Sequence, residues 1–105
     1  MNTFDFSNED IGLIEFCIGQ FKSAYESAAT VYKNDMNDDL ILSTSRKLIM
    51  QNLSFSTDEY RVIYTALMYV YSICTGSLTA SNDVISKCSK YLGDVSALLA
   101  SLPRP

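Results

Sequence analysis

The chain has 105 residues, a formal net charge of −4, and close to half of its residues apolar. That is enough for one domain, and the composition is that of a folded chain rather than a disordered one. There is no histidine, which removes the commonest general base, the usual zinc ligand and the simplest pH switch.

The charge is unevenly placed. Residues 1–39 carry eight acids against Lys22 and Lys33, a net of −6, and residues 40–105 carry +2. This balance argues against nucleic-acid binding by phosphate neutralisation. It favours pairing of one helix with another inside the fold over steering of a partner. Cys17, Cys74 and Cys88 form no C-x-x-C and each falls in an apolar helical row, so they are read as buried thiols of a reducing cytosol. The opening MNTFDFSNED lacks the charged-then-apolar order of a signal peptide, and no membrane-length apolar run follows. The sequon Asn52-Leu53-Ser54 has no meaning without secretion. A cytoplasmic protein without membrane insertion is expected.

Taken in order, residues 1–6 form a short lead-in with Phe4 and Phe6 available for packing. Ser7 caps a first helix over 8–32, with Glu9 and Asp10 in its first turn. Ile11, Ile14, Ile18, Phe21, Tyr25, Ala28 and Tyr32 supply its apolar stripe, widened by Leu13, Phe16, Cys17 and Ala24. Gly12 and Gly19 weaken this helix locally, and Gly19 offers room for a neighbouring helix.

Lys33–Asp39 breaks the pattern with turn-forming residues. Asp35, Asn37 and Asp39 reproduce the opening of a calcium loop, but Leu40 stands where its glycine belongs and Arg46 where its glutamate belongs. Capping is the better reading, and no metal or cofactor is expected. Asp39 or Asp38 caps a second helix over roughly 39–52, with Leu40, Ile41, Leu48, Ile49 and Leu53 on its apolar side. Its polar middle, STSRK, faces solvent or another polar surface.

The stretch 57–74 is apolar around most of its circumference. Ser56 and Glu59 make an S-x-x-E capping box, and Gly76 stands where a left-handed stop is wanted. Such a helix must be covered on most sides, so it reads as the central element. It is too short for the roughly 20 apolar residues that cross a bilayer. Ser81 caps the last helix, 82–102, on a heptad seam of Val84, Cys88, Tyr91, Val95, Leu98 and Leu102, kinked or split at Gly93.

Four helices with short connectors predict an all-α fold, a single antiparallel up-down four-helix bundle occupying 1–105 as one helical domain. Its size and four-helix plan resemble those of the bacteriocin immunity proteins, which are small cytosolic helical bundles. The resemblance is one of architecture and implies no site residues.

No catalytic constellation is legible. The carboxylate pairs Glu9/Asp10 and Asp58/Glu59 lie in first helical turns, where capping and the helix dipole account for them. A di-iron bundle would need Glu-x-x-His motifs. A helix-turn-helix built from 39–52 and 57–74 would show the groove only Arg61, Thr65 and Ser72. The chain is therefore expected to be a non-catalytic protein–protein interaction or regulatory module, with a homodimer as the variant. The candidate partner surface is Tyr60, Arg61, Tyr64 and Tyr71, since tyrosine suits interfaces. A second is the acidic connector with Asp35, Asp38 and Asp39, suited to a basic partner. The alternative is a small-molecule-binding bundle with an apolar pocket lined by tyrosines, Met68 and Cys74.

Overall fold

The computed structural model describes residues 2–27 and 38–105. The elements run β1 (Asn2–Thr3), α1 (Asn8–Ser27), α2 (Asp38–Ile49), β2 (Ser54–Phe55), α3 (Thr57–Cys74), α4 (Asn82–Ser89) and α5 (Leu92–Ser101). The class is all-α, since β1 and β2 amount to one two-residue antiparallel ladder, Asn2 opposite Phe55 and Thr3 opposite Ser54. Residues 28–32 of the expected first helix and the connector with Asp35 lie outside the described residues.

The central position of α3 follows from its sequence. Ser56 Oγ accepts from Glu59 N–H at 3.1 Å, and Ser56 N–H donates to Glu59 Oε1 at 2.8 Å, so both arms of the capping box form. At the other end Ser77 N–H donates to the Ser72 carbonyl at 2.9 Å and Gly76 N–H to that of Ile73 at 3.3 Å. This Schellman closure requires the left-handed φ of +83° at Gly76. Between these stops Tyr60, Val62, Ile63, Ala66, Leu67, Val70 and Ile73 are buried, and α3 packs against each of the other four helices. Leu67 has no solvent exposure, so Leu67→Ala costs about 2–5 kcal/mol.

α1 opens with a reciprocal cap, Ser7 N–H to Asp10 Oδ2 at 3.0 Å and Asp10 N–H to Ser7 Oγ at 3.1 Å. Its core face is Leu13, Ile14, Cys17, Ile18 and Phe21. No neighbour makes use of the room at Gly19, since a Cβ built there meets nothing within 4 Å.

α2 departs from expectation in two ways. It ends at Ile49 rather than 52, because Gln51 N–H donates to Leu48 and Asn52 N–H to the Lys47 carbonyl, closing a Schellman turn around Gln51 at φ +58°. The chain then leaves as β2 to pair with β1. The core side of α2 is Ile41, Thr44 and Leu48, at helical spacing, whereas Ile49 is 70% exposed. Thr44 is buried without penalty because its hydroxyl donates to the Leu40 carbonyl at 2.8 Å.

The expected fourth helix is two helices. The break falls at Lys90–Tyr91, before Gly93, where Tyr91 N–H turns back to the Cys88 carbonyl at 2.9 Å. Among the described residues the count is therefore five helices. Across the break Cys88, Val95 and Leu98 keep their place in the core, while Tyr91 leaves the seam and is 36% exposed.

The two ends of the chain meet over the start of α3. Phe4 stacks on Phe6 at 5.3 Å and on Tyr60 at 4.9 Å, with Phe55 beside both phenylalanines. Tyr60 OH donates to the Pro103 carbonyl, which ties the C-terminal tail to this cluster.

Candidate functional site

The residues singled out in the sequence have different fates. Tyr60 is 2% exposed and belongs to the aromatic cluster, so it presents no surface to a partner. Burial, and then the neighbouring Tyr64, push its hydroxyl pKa up. Tyr64 and Tyr71 are half-buried against the core. Arg61 is exposed and sits 4.0 Å from Asp58, one turn back on the same helix. Neither Asp38 nor Asp39 is the cap expected of them, because α2 already begins at Asp38 and both lie in its first turn, where the helix dipole favours an acid. None of these residues lines either of the two cavities described next.

The larger cavity is an open groove between α1 and α5, of about 730 Å³. Glu9, Asp10, Gly12, Leu13 and Phe16 of α1 line it, facing Asp94, Ala97, Leu98 and Ser101 of α5 and Tyr91 at that helix's cap. On each helix the lining residues recur at one-turn intervals, so each presents a single stripe. The apolar floor is Leu13 and Leu98, each 8% exposed and continuous with the core. Phe16 and Tyr91 mark one end, their ring centroids 4.5 Å apart and tilted by 40°. The break before α5 is what places Tyr91 there. Gly12, Ala97 and Ser101 keep the walls low, and a Cβ at Gly12 meets nothing within 4 Å.

The groove is acidic. Glu9, Asp10 and Asp94 are its three ionisable carboxylates and no basic residue lines it. Asp10 uses Oδ2 on the α1 cap. None of the three forms an ion pair with a described residue.

The second cavity, about 220 Å³, is lined by Gln20, Ser23, Tyr69, Thr79, Ala80, Ser81 and Val84. It carries no charged group and joins α1 and α3 to the start of α4.

A buried polar cluster has a different purpose. Lys47 of α2 donates to Glu59 Oε1 at 2.6 Å and to the Ser54 carbonyl at 3.0 Å, and Ser43 Oγ donates to Glu59 Oε2. Burial alone would raise the Glu59 pKa. The hydrogen bonds from Lys47, Ser43 and Ser56, with the Lys47 charge, overcome this and lower it to about 2. Such a carboxylate is a clamp and not a general base at neutral pH. Glu15 behaves oppositely. Its burial raises its pKa against a bond with Ser45, and its Oε1 has no hydrogen-bond partner among the described residues.

The three thiols are unpaired. Burial pushes Cys17 up to about 12, with the nearby Cys88 and Cys74 adding to it, and burial raises the other two as well. They are protonated and poor nucleophiles at neutral pH. Among the described residues no group of three His, Cys, Asp or Glu is arranged to hold a metal, and no helix is long and apolar enough to cross a membrane.

Helical periodicity puts Leu13, Phe16, Tyr91 and Leu98 in the core stripes of their helices. The missed signal is the company they keep. Glu9, Gly12 and Phe16 on one helix, and Tyr91, Asp94, Ala97 and Ser101 on the other, combine acid, small and aromatic residues at one-turn spacing. Compared with family models, with curated proteins and with solved structures, the chain matches none.

Proposed function

We propose that this protein is a non-catalytic protein–protein interaction module that docks its partner in the α1–α5 groove. One observation carries the reading: an apolar floor with an aromatic pair at its end stands open beside an acidic rim. The partly exposed rings of Phe16 and Tyr91 gain by being covered.

The architecture that supports the groove is read as a four-walled up-down bundle in one domain, α4 and α5 together forming the fourth wall. Three unpaired thiols fit a reducing cytoplasm. The small-molecule alternative has less support, since Met68 is 39% exposed and Cys74 half-buried, and neither lines the two cavities. Self-association has its own observation in Leu42 and Ile49, exposed two turns apart on one side of α2, with exposed Met50 just past its end.

Photo-crosslinking in the native host tests the reading. A photoreactive residue at Ala97 is expected to trap a partner protein, and the same residue at Ile49 is not. A partner trapped at Ile49 alone moves the docking face to α2.

A further inference from the structure

We infer that the occupant of the groove is a basic amphipathic segment of another protein, an inference that rests on the docking reading above. The charge of the lining decides its chemistry. Three carboxylates and no cation face the space. Glu9 and Asp94 are exposed on the rim, where an occupant that carries cations is attracted and an acidic one is repelled. The occupant that complements this rim supplies lysine or arginine to Glu9 and Asp94.

The floor demands apolar side chains as well. Leu13 and Leu98 are nearly buried, and the apolar surface that cations alone leave uncovered is that of Phe16, Tyr91 and Ala97. Phe16 and the half-exposed Tyr91 serve both needs, because their ring faces accept an aliphatic side chain or a guanidinium. A small polyamine satisfies the rim and not the floor.

Length points the same way. The lining runs from Glu9 to Phe16 and from Tyr91 to Ser101, about 10–15 Å of helix at 1.5 Å per residue. A partner helix of two to three turns, with apolar anchors at i, i+3 or i+4, and i+7, spans this distance and puts flanking cations over both walls.

The test uses the full chain and fluorescent model peptides read by polarisation. One peptide is an amphipathic helix with lysine and arginine flanks; a second has the same apolar face with glutamate flanks; a third has the cations without the apolar face. The first is expected to bind, more weakly as salt rises. Gly12→Leu fills the groove from an open position and is expected to weaken binding at least tenfold while helicity is retained. Glu9→Gln with Asp94→Asn is expected to weaken it about tenfold and to flatten the salt dependence.

The outcomes separate the two claims. If the acidic amphipathic peptide binds and Gly12→Leu blocks it, the groove docks a partner and the cationic inference is overturned. Equal binding of the third peptide, or its displacement by spermidine, makes the groove a site for cations alone and overturns the amphipathic partner. Binding indifferent to Gly12→Leu, or no binding by any peptide, overturns both claims. A dimer in sedimentation that Gly12→Leu converts to monomer makes the occupant a second copy of the chain, and the foreign partner falls.

Discussion

Lys47 reaches from α2 to within 2.6 Å of Glu59 at the first turn of α3, and this contact joins the two helices through a charge that the fold has nearly closed over. The pair sits at the start of the central helix, where Glu59 also closes the capping box. One carboxylate thus caps a helix, pairs an ammonium and accepts the Ser43 hydroxyl.

Acid should dismantle this contact in a defined window. The Glu59 pKa falls from an ordinary 4.5 to about 2 on folding. A depressed carboxylate contributes stability that is complete above the unfolded value and is lost as pH falls from about 4.5 towards 2. The expected loss is on the order of 2 kcal/mol. Glu15 acts in the other sense, since its raised pKa favours folding when it is protonated. Denaturant melts of the wild type and of Glu59→Gln across that window isolate the Glu59 part as the difference between the curves. At pH 7 Lys47→Met leaves the carboxylate without its cation and should cost about 2–3 kcal/mol, less than for a fully enclosed pair because Lys47 retains 21% exposure. A wild-type curve parallel to that of Glu59→Gln rejects the assignment.

Gln51 stands at φ +58° in the stop of α2, a conformation that glycine adopts freely and other residues adopt at a cost of about 1–2 kcal/mol. Its backbone geometry is imposed by the bonds that its own N–H and the Asn52 N–H donate to the Leu48 and Lys47 carbonyls. Gln51→Gly should therefore stabilise the protein by about 1 kcal/mol, although glycine also loosens the unfolded chain. The expected rise in Tm is about 4–8 °C per kcal/mol for a domain near 100 residues. A fall in Tm would mean that the Gln51 side chain contributes more than its backbone costs.

These two sites show where the sequence was readable. The capping box of Ser56 and Glu59, and the stop at Gly76, are local rules written in adjacent residues, and α3 occupies 57–74 as those rules predict. The end of α2 leaves no local mark, because its Schellman turn uses glutamine instead of glycine. Gly93 drew attention as a helix breaker, yet the break lies at Lys90–Tyr91 and Gly93 sits inside α5. Lys47 and Glu59 are twelve residues apart, and their pairing depends on how α2 lies against α3. The groove was hidden for the same reason: periodicity identifies the apolar stripe of each helix but not the part of the stripe that no neighbour covers.

The thiols give an accessibility test of the packing. Cys17 and Cys88 are fully buried and Cys74 is half-buried. An aromatic disulfide reagent at mildly alkaline pH should modify Cys74 first, and slowly, because burial raises its pKa as well. Cys17, pushed up to about 12, should stay unmodified until the protein unfolds, when all three react at once. Peptide mapping at intermediate times reads the order directly. Early labelling of Cys17 would mean that α1 opens from α3 without global unfolding.

Gly12 and Gly19 lie seven residues apart on the exposed side of α1, and a Cβ at either meets nothing within 4 Å. Glycine inside a helix costs about 0.8–1 kcal/mol relative to alanine. Gly12→Ala and Gly19→Ala should each raise stability by about that amount, and their effects should add because the two sites share no contact. The two differ in what else they change. Gly19 lies outside the groove, whereas Gly12 forms part of its wall. Alanine at Gly12 adds one methyl and leaves room for an occupant, while leucine at the same position fills it. A variant that melts higher and no longer docks a peptide separates the groove from the stability of the helix that builds it. Chemical denaturation of Gly12→Ala, Gly19→Ala and the double variant reads the first half of this prediction. A destabilised Gly12→Ala would place a neighbour against that wall and remove the opening on which docking depends.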